Sequence, residues 1–186
     1  MANTEHVETL DTLDKISVIT YRSGITLFSI SLFLTSLAIA DDIALIIVDG
    51  SFMQLALFCL VSASAMSAAN LHVYDKKIRL LITWPTWVGL VLLIALENSQ
   101  LVWLPLGFLF ITFSGIALKE SFCFNVFGLK IVPFLLCILT VMLALEVWLI
   151  ALMCLFSCGV IFLFLAIQKW RMPLHFDIGN KSHYQN

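Results

Sequence analysis

The chain has 186 residues, of which 61% are hydrophobic and only 12% charged, and its mean hydropathy is +1.04. A soluble domain of this size lacks the surface to carry so much apolar excess, which makes the bilayer the solvent. Ten Lys and Arg against twelve Asp and Glu give a net charge of -2, leaving no basic stripe for a phosphate backbone and removing nucleic acid from the expected partners.

Residues 1–20 are polar and acidic, with Glu5, Glu8, Asp11 and Asp14 ahead of the first apolar run and Val7, Leu10, Leu13 and Ile16 interspersed. They lack the basic n-region and small-residue cleavage site of a secretory signal, and suit a short cytoplasmic helix or a floppy tail. A spanning helix needs about 20 largely apolar residues, because ~30 Å of hydrocarbon is covered at ~1.5 Å per residue. Six runs answer to that, at about 22–40, 52–71, 79–96, 101–118, 130–145 and 147–167. The expected fold is therefore all-α: a polytopic six-helix transmembrane bundle over 21–170, with a polar segment at 1–20 and a tail at 171–186.

Polar punctuation separates the runs: Asp41 and Asp42 through Asp49 and Gly50, His72 to Lys77, Glu97 to Gln100, and Lys119 to Lys130. The apolar stretch 43–48 is too short to cross, and reads either as an outer interfacial piece or as an extra turn on the second span. The second span carries a small-residue patch over 62–70, with Ala63/Ser67, Ser64/Ala68 and Ala65/Ala69 pairs that let helices approach closely in lipid. It is expected to be central. Gly107 and Gly115 on the fourth span and Gly159 on the sixth invite the same packing role. Pro85, Pro105 and Pro133 stand near the starts of spans, where a missing N–H costs least, and Pro173 follows the last. Trp84, Trp87, Trp103, Trp148 and Trp170 suit anchoring at span ends.

Beyond Lys130 at its start, the run 129–167 is interrupted by one charge, Glu146, with no turn-marking Pro or Gly at that point. As one helix it would reach about 58 Å, nearly twice the hydrocarbon thickness, so the chain should reverse near Glu146 and Trp148. Charge placement agrees. With six spans, Lys15, Arg22, Lys76, Lys77, Arg79, Lys119, Lys130, Lys169, Arg171 and Lys181 all fall on one side with both termini, and that side is the cytoplasm. The opposite loops hold Asp41, Asp42, Asp49, Glu97 and Glu146.

Five cysteines, four of them (Cys59, Cys137, Cys154 and Cys158) inside apolar runs, argue against a disulfide framework and read as small buried hydrophobes. Cys154 and Cys158 share a helical face, with Cys137 at a similar depth, but no histidine or carboxylate accompanies them. The bilayer centre holds no ionisable residue, which counts against a proton relay there.

Chemistry concentrates at the cytoplasmic edge. Asn70, His72, Tyr74 and Asp75 close the second span, and Lys119, Glu120 and Cys123 close the fourth. Asn70, His72, Tyr74, Lys119, Glu120 and Cys123 form the candidate polar cluster, of types that bind metal, move a proton or hold a headgroup; the alternative is an ion-paired rim that fixes two loops. No nucleophile triad, glycine-rich phosphate loop or HExxH motif accompanies them, so no catalytic residue and no cofactor is assigned, and metal binding stays open.

The strings Tyr21-Arg22-Ser23-Gly24-Ile25, Leu71-His72-Val73-Tyr74 and Leu118-Lys119-Glu120-Ser121-Phe122-Cys123-Phe124 resemble, in that order, a family of uncharacterised integral membrane proteins of cyanobacteria, other bacteria and plastids. It is a domain of unknown function that includes plastid proteins conserved in the green lineage and diatoms. Glycine often stands there at the position of Ser121. The resemblance implies an integral membrane protein in the bacterial inner membrane, with a thylakoid or plastid membrane as the alternative.

Three functional readings follow. The first is a non-enzymatic assembly or interaction factor, whose partners are the lipid bilayer and a membrane protein or a second copy of the chain. The second is a small-solute or metal-ion carrier using the polar ends of the second and fourth spans. The third, which leans least on the sequence, is a membrane-embedded enzyme with His72 and Glu120 as base and acid. It requires the two side chains within hydrogen-bond reach, ~2.6 to 3.2 Å or one bridging water.

Overall fold

The computed structural model describes residues 9–47, 52–96, 99–179 and 184. Glu5, Val7, Glu8, Val48, Asp49, Gly50, Glu97, Asn98 and Lys181 lie outside them. The described residues contain helices only: α1 (Thr12–Asp42), α2 (Phe52–Ala69), α3 (Lys76–Leu96), α4 (Trp103–Ser121), α5 (Val132–Ala144), α6 (Trp148–Arg171) and the short α7 (His175–Ile178). Five have the length and apolar content to cross a membrane, and α5 is a shorter apolar helix.

Local chemistry sets the ends. Asp11 caps α1: its side chain accepts from the Asp14 amide at 2.8 Å while the Asp14 carboxylate accepts from the Asp11 amide at 3.0 Å, a reciprocal box that satisfies two otherwise orphaned donors. Residues 12–20 are thus the first turns of the same helix as the first apolar run. At its far end α1 absorbs Asp41 and Asp42. It then stops with Ala44 at φ 56°, and the Leu45 and Ile46 amides return to the Ala40 carbonyl. Residues 43–47 are therefore a capping turn on α1, and the described part of α2 runs from Phe52.

The reversal between α5 and α6 falls at Glu146. It adopts φ 57°, and the flanking Leu145 and Val147 amides bond Val141 and Met142 carbonyls. A left-handed cap normally carries glycine; here Glu146 takes that conformation, so no glycine signal marked the turn. Asp75 caps α3, accepting from the Lys77 and Ile78 amides at 2.8 and 3.0 Å. Because α3 starts at Lys76, Pro85 lies inside it rather than near its start, a correction to the sequence expectation.

Neighbouring helices run antiparallel around a ring, and the first part of α1 meets the last turn of α6. The core centres on Phe28 of α1, whose ring stacks 3.5 Å from Phe113 of α4 and meets Phe162 of α6 edge-on at 4.7 Å. α1, not α2, presents the most extensive buried face, which corrects the expectation that α2 is central. The small patch on α2 still does what its size permits: at Gly24 of α1, a Cβ would come within 3.0 Å of the Ala63 carbonyl oxygen and the Ser67 amide nitrogen. Gly115 packs on Ile82 of α3 and Gly107 on Thr140 of α5, so small residues seat α4 between its two neighbours.

Hydroxyls tie the helices where apolar contact alone has little drive in lipid. Thr86 donates to Thr112, and Thr112 to the Ile82 carbonyl, both at 2.8 Å; Ser29 donates to the Gly159 carbonyl at 2.9 Å. The exterior is apolar, with Leu81, Trp84, Val91, Ile94, Phe134 and Phe156 exposed, as suits acyl chains. All five cysteines are free, and Cys59, Cys154 and Cys158 are buried. Cys137 is exposed on the outer face, so it does not join the others, contrary to the reading of all four as buried.

Candidate functional site

One end of the bundle holds a buried network of charges drawn from three helices and the tail. Glu120, in the last turn of α4, is 2% exposed. Its Oε1 accepts from the Tyr21 hydroxyl at 2.7 Å and from Lys119 at 3.1 Å, and its Oε2 pairs with Lys169 of α6 at 3.0 Å. Lys169 also pairs with Asp177 of α7. Asp177 in turn is gripped by Arg22 of α1, whose Nε donates at 2.7 Å and whose Nη2 donates to the same oxygen. The remaining Arg22 donors reach the carbonyls of Met172 at 2.7 Å and Pro173 at 3.0 Å.

The local sequence explains how the tail arrives there. Pro173 pushes the residue before it into extended backbone, and Met172 has φ -93° and ψ 149°, which takes the chain off α6 and presents both carbonyls to Arg22. α7 then carries Asp177 inward with the buried Ile178, and closes at Gly179, φ 66°, where a side chain would collide with the Tyr74 hydroxyl.

Tyr21 joins the charges to a second, neutral group. Its ring lies edge-on to His72, centroids 6.4 Å apart, with the ammonium groups of Lys119 and Lys169 at 4.8 and 5.1 Å from its own centroid. Ser17 donates to Asn70 Oδ1 at 2.9 Å and stands 3.3 Å from His72 Nε2. His72 Nδ1 is buried, with no hydrogen-bond partner among the described residues. Burial first, and repulsion from Lys119 second, lower the His72 pKa to about 4, so the ring is neutral at pH 7.

Of the candidate residues, Asn70 and His72 meet through Ser17, Lys119 and Glu120 meet directly, and Tyr21 links the two pairs. Tyr74 and Cys123 stay outside. Tyr74 is 40% exposed and packs its ring 4.9 Å from Tyr184 in the tail, while Cys123 is exposed. His72 and Glu120 bond different partners, so no direct acid and base pair forms between them. Among the described residues no three His, Cys, Asp or Glu side chains gather as a metal would need. Surface depressions lie elsewhere, in a shallow apolar groove beside Leu81, Trp84 and Phe108 and in the 121–131 loop.

Five members escaped the sequence reading of the site. Tyr21 appeared there only within a family string, Arg22 there and as an orientation charge, Lys169 only as an orientation charge, and Ser17 and Asp177 not at all. Arg22 and Asp177 are separated by 155 positions, and no spacing rule joins residues so distant. Ser121, where the family often has glycine, ends α4 in helical backbone and donates to the Leu118 carbonyl at 2.7 Å, so no left-handed conformation is demanded there.

A family model described as "Uncharacterized integral membrane protein (DUF2301)" matches residues 25–186. A protein of Haemophilus influenzae, named "Uncharacterized protein", is 35% identical over 191 residues, covering 100% of this chain and 99% of its own length. No solved structure matches. Helical architecture, apolar exterior and near end-to-end similarity agree, and the chain belongs to the DUF2301 family of integral membrane proteins.

Proposed function

We propose that this protein crosses the bacterial inner membrane six times, with both ends and the charge network on the cytoplasmic side, and acts as a non-enzymatic assembly or interaction factor. The observation that carries this reading is the self-sufficiency of the network. Glu120 and Asp177 are each held by cations of the same chain, so the charges brace α1, α4, α6 and the tail against one another. The apolar outer faces of the helices are left for lipid or for a membrane-protein partner, another copy of the chain included. Solubilised in mild detergent at native expression, the protein is expected to migrate with a larger complex. Recovery as an isolated subunit alone contradicts the proposal.

A second reading, a small-solute carrier, draws on one specific feature: the Ser67 hydroxyl and His72 Nδ1 are buried and unpartnered among the described residues, and such groups line polar paths through bundles. It predicts uptake into proteoliposomes that is lost in His72→Phe. A solute panel without flux counts against it.

A further inference from the structure

We infer that Arg22 and Lys169 form an oxyanion site of the bundle, which the tail carboxylate of Asp177 fills as a displaceable internal ligand, and whose external ligand is a phosphate group. The two cations come from different helices, are each 2% exposed, and divide one carboxylate between them: the guanidinium takes Oδ2 by two donors and the ammonium takes Oδ1. A planar guanidinium fork beside a compact ammonium is the donor set that recognises an oxyanion with two or more accepting oxygens.

The charge count favours a more highly charged anion than a carboxylate. Arg22, Lys119 and Lys169 face Glu120 and Asp177 in the closed network, an excess of one cation. With the tail withdrawn, three cations face Glu120 alone. A phosphate monoester, carrying about -1.5 to -2 at neutral pH, balances that set better than the carboxylate does.

The internal ligand is also carried on a short element. It rides on a four-residue helix after Pro173, and among the described residues the anchors of the tail besides Asp177 are the buried Ile178, whose carbonyl accepts from Tyr184, the Tyr74 ring and two carbonyl bonds to Arg22. Glu120, by contrast, is built into α4 and cannot leave. Lys169 and Glu120 lie in the last turns of α6 and α4, at the end of the bundle; both are buried under the tail, and its withdrawal would open the cations to a lipid phosphate or a soluble phosphate.

The test compares wild type and Asp177→Ala in a phosphate-free detergent at constant ionic strength, following thermal unfolding. Inorganic phosphate is titrated in one arm and a short-chain phosphatidic acid in the other, with chloride as control. A tethered carboxylate competes at millimolar effective concentration, so Asp177→Ala should respond to a phosphate at concentrations about tenfold or more below wild type. A response in the lipid arm alone identifies a headgroup site, one in the inorganic arm alone a soluble ligand, and one in both a shared phosphate site. Equal responses of the two proteins, or no response of the variant to either probe, overturn the inference. Should Asp177→Ala fail to fold, hydrogen exchange of residues 172–179 in wild type decides: phosphate is expected to speed their exchange by releasing the tail, and unchanged exchange overturns the inference.

Discussion

Glu120 and His72 sit on either side of Tyr21 and present opposite problems. Glu120 is an ionic group that burial would penalise were it not held by Tyr21, Lys119 and Lys169; removing one partner of such a set costs far more than the set contributes over an apolar replacement. Glu120→Ala is therefore expected to destabilise by about 3 kcal/mol, and Glu120→Ala with Lys169→Met to recover part of that loss, because it reduces the excess of buried positive charge that Glu120 had balanced. Thermal unfolding of the two variants in one detergent checks this; a double variant less stable than the single contradicts it. His72 is held neutral, its pKa lowered to about 4 by burial and then by Lys119. The unfolded chain takes up that proton near pH 6.5 and the folded chain only near 4, so the unfolded state binds more protons in this window and stability falls as pH drops through it. The contribution lost by pH 5 is on the order of 1 kcal/mol, and His72→Phe should remove that slope between pH 7 and pH 5. An unchanged slope in the variant places its origin elsewhere.

Helix pairs are decided by how closely backbones approach. At the α1 and α2 contact, the added methyl of Gly24→Ala meets backbone atoms of Ala63 and Ser67 at 3.0 Å, which no rotamer change relieves. A loss of about 1 to 3 kcal/mol is expected, whereas Ser67→Ala, which removes an unpartnered hydroxyl, should be close to neutral. Comparable midpoints for the two variants would contradict this. Here the sequence was informative, since the Ala63 and Ser67 pair falls at the contact. The reversal at Glu146 was legible too, because a helix of that length outruns the bilayer. Left unread were the caps at Ala44 and Glu146, which use left-handed backbone without glycine, and the start of α3 ahead of Pro85. Local propensity disfavours the two left-handed caps, whereas the start of α3 is set by the Asp75 cap, a local signal that the boundary of the apolar run passed over.

At the scale of the molecule, the apolar exterior and the all-helical order follow from composition and run length, and both were legible. Half of the site was not. Asn70, His72, Lys119 and Glu120 could be named because they end apolar runs, but Arg22, Lys169 and Asp177 are joined by the closure of the ring, which sets α1 against α6 and folds the tail under both. Cys123 and Tyr74, equally suggestive by type, face outward and toward the tail, since a helix end directs only part of its side chains into the core.

That closure rests on the threading of the chain through lipid, which reporter truncation fusions measure most directly. Fusions after the 122–131 loop and after Met172 are expected to report the cytoplasm, and a fusion at Glu146 the opposite side. A Glu146 fusion that reports the same side as the Met172 fusion would mean that α5 and α6 do not form separate crossings, and would contradict the six-span account.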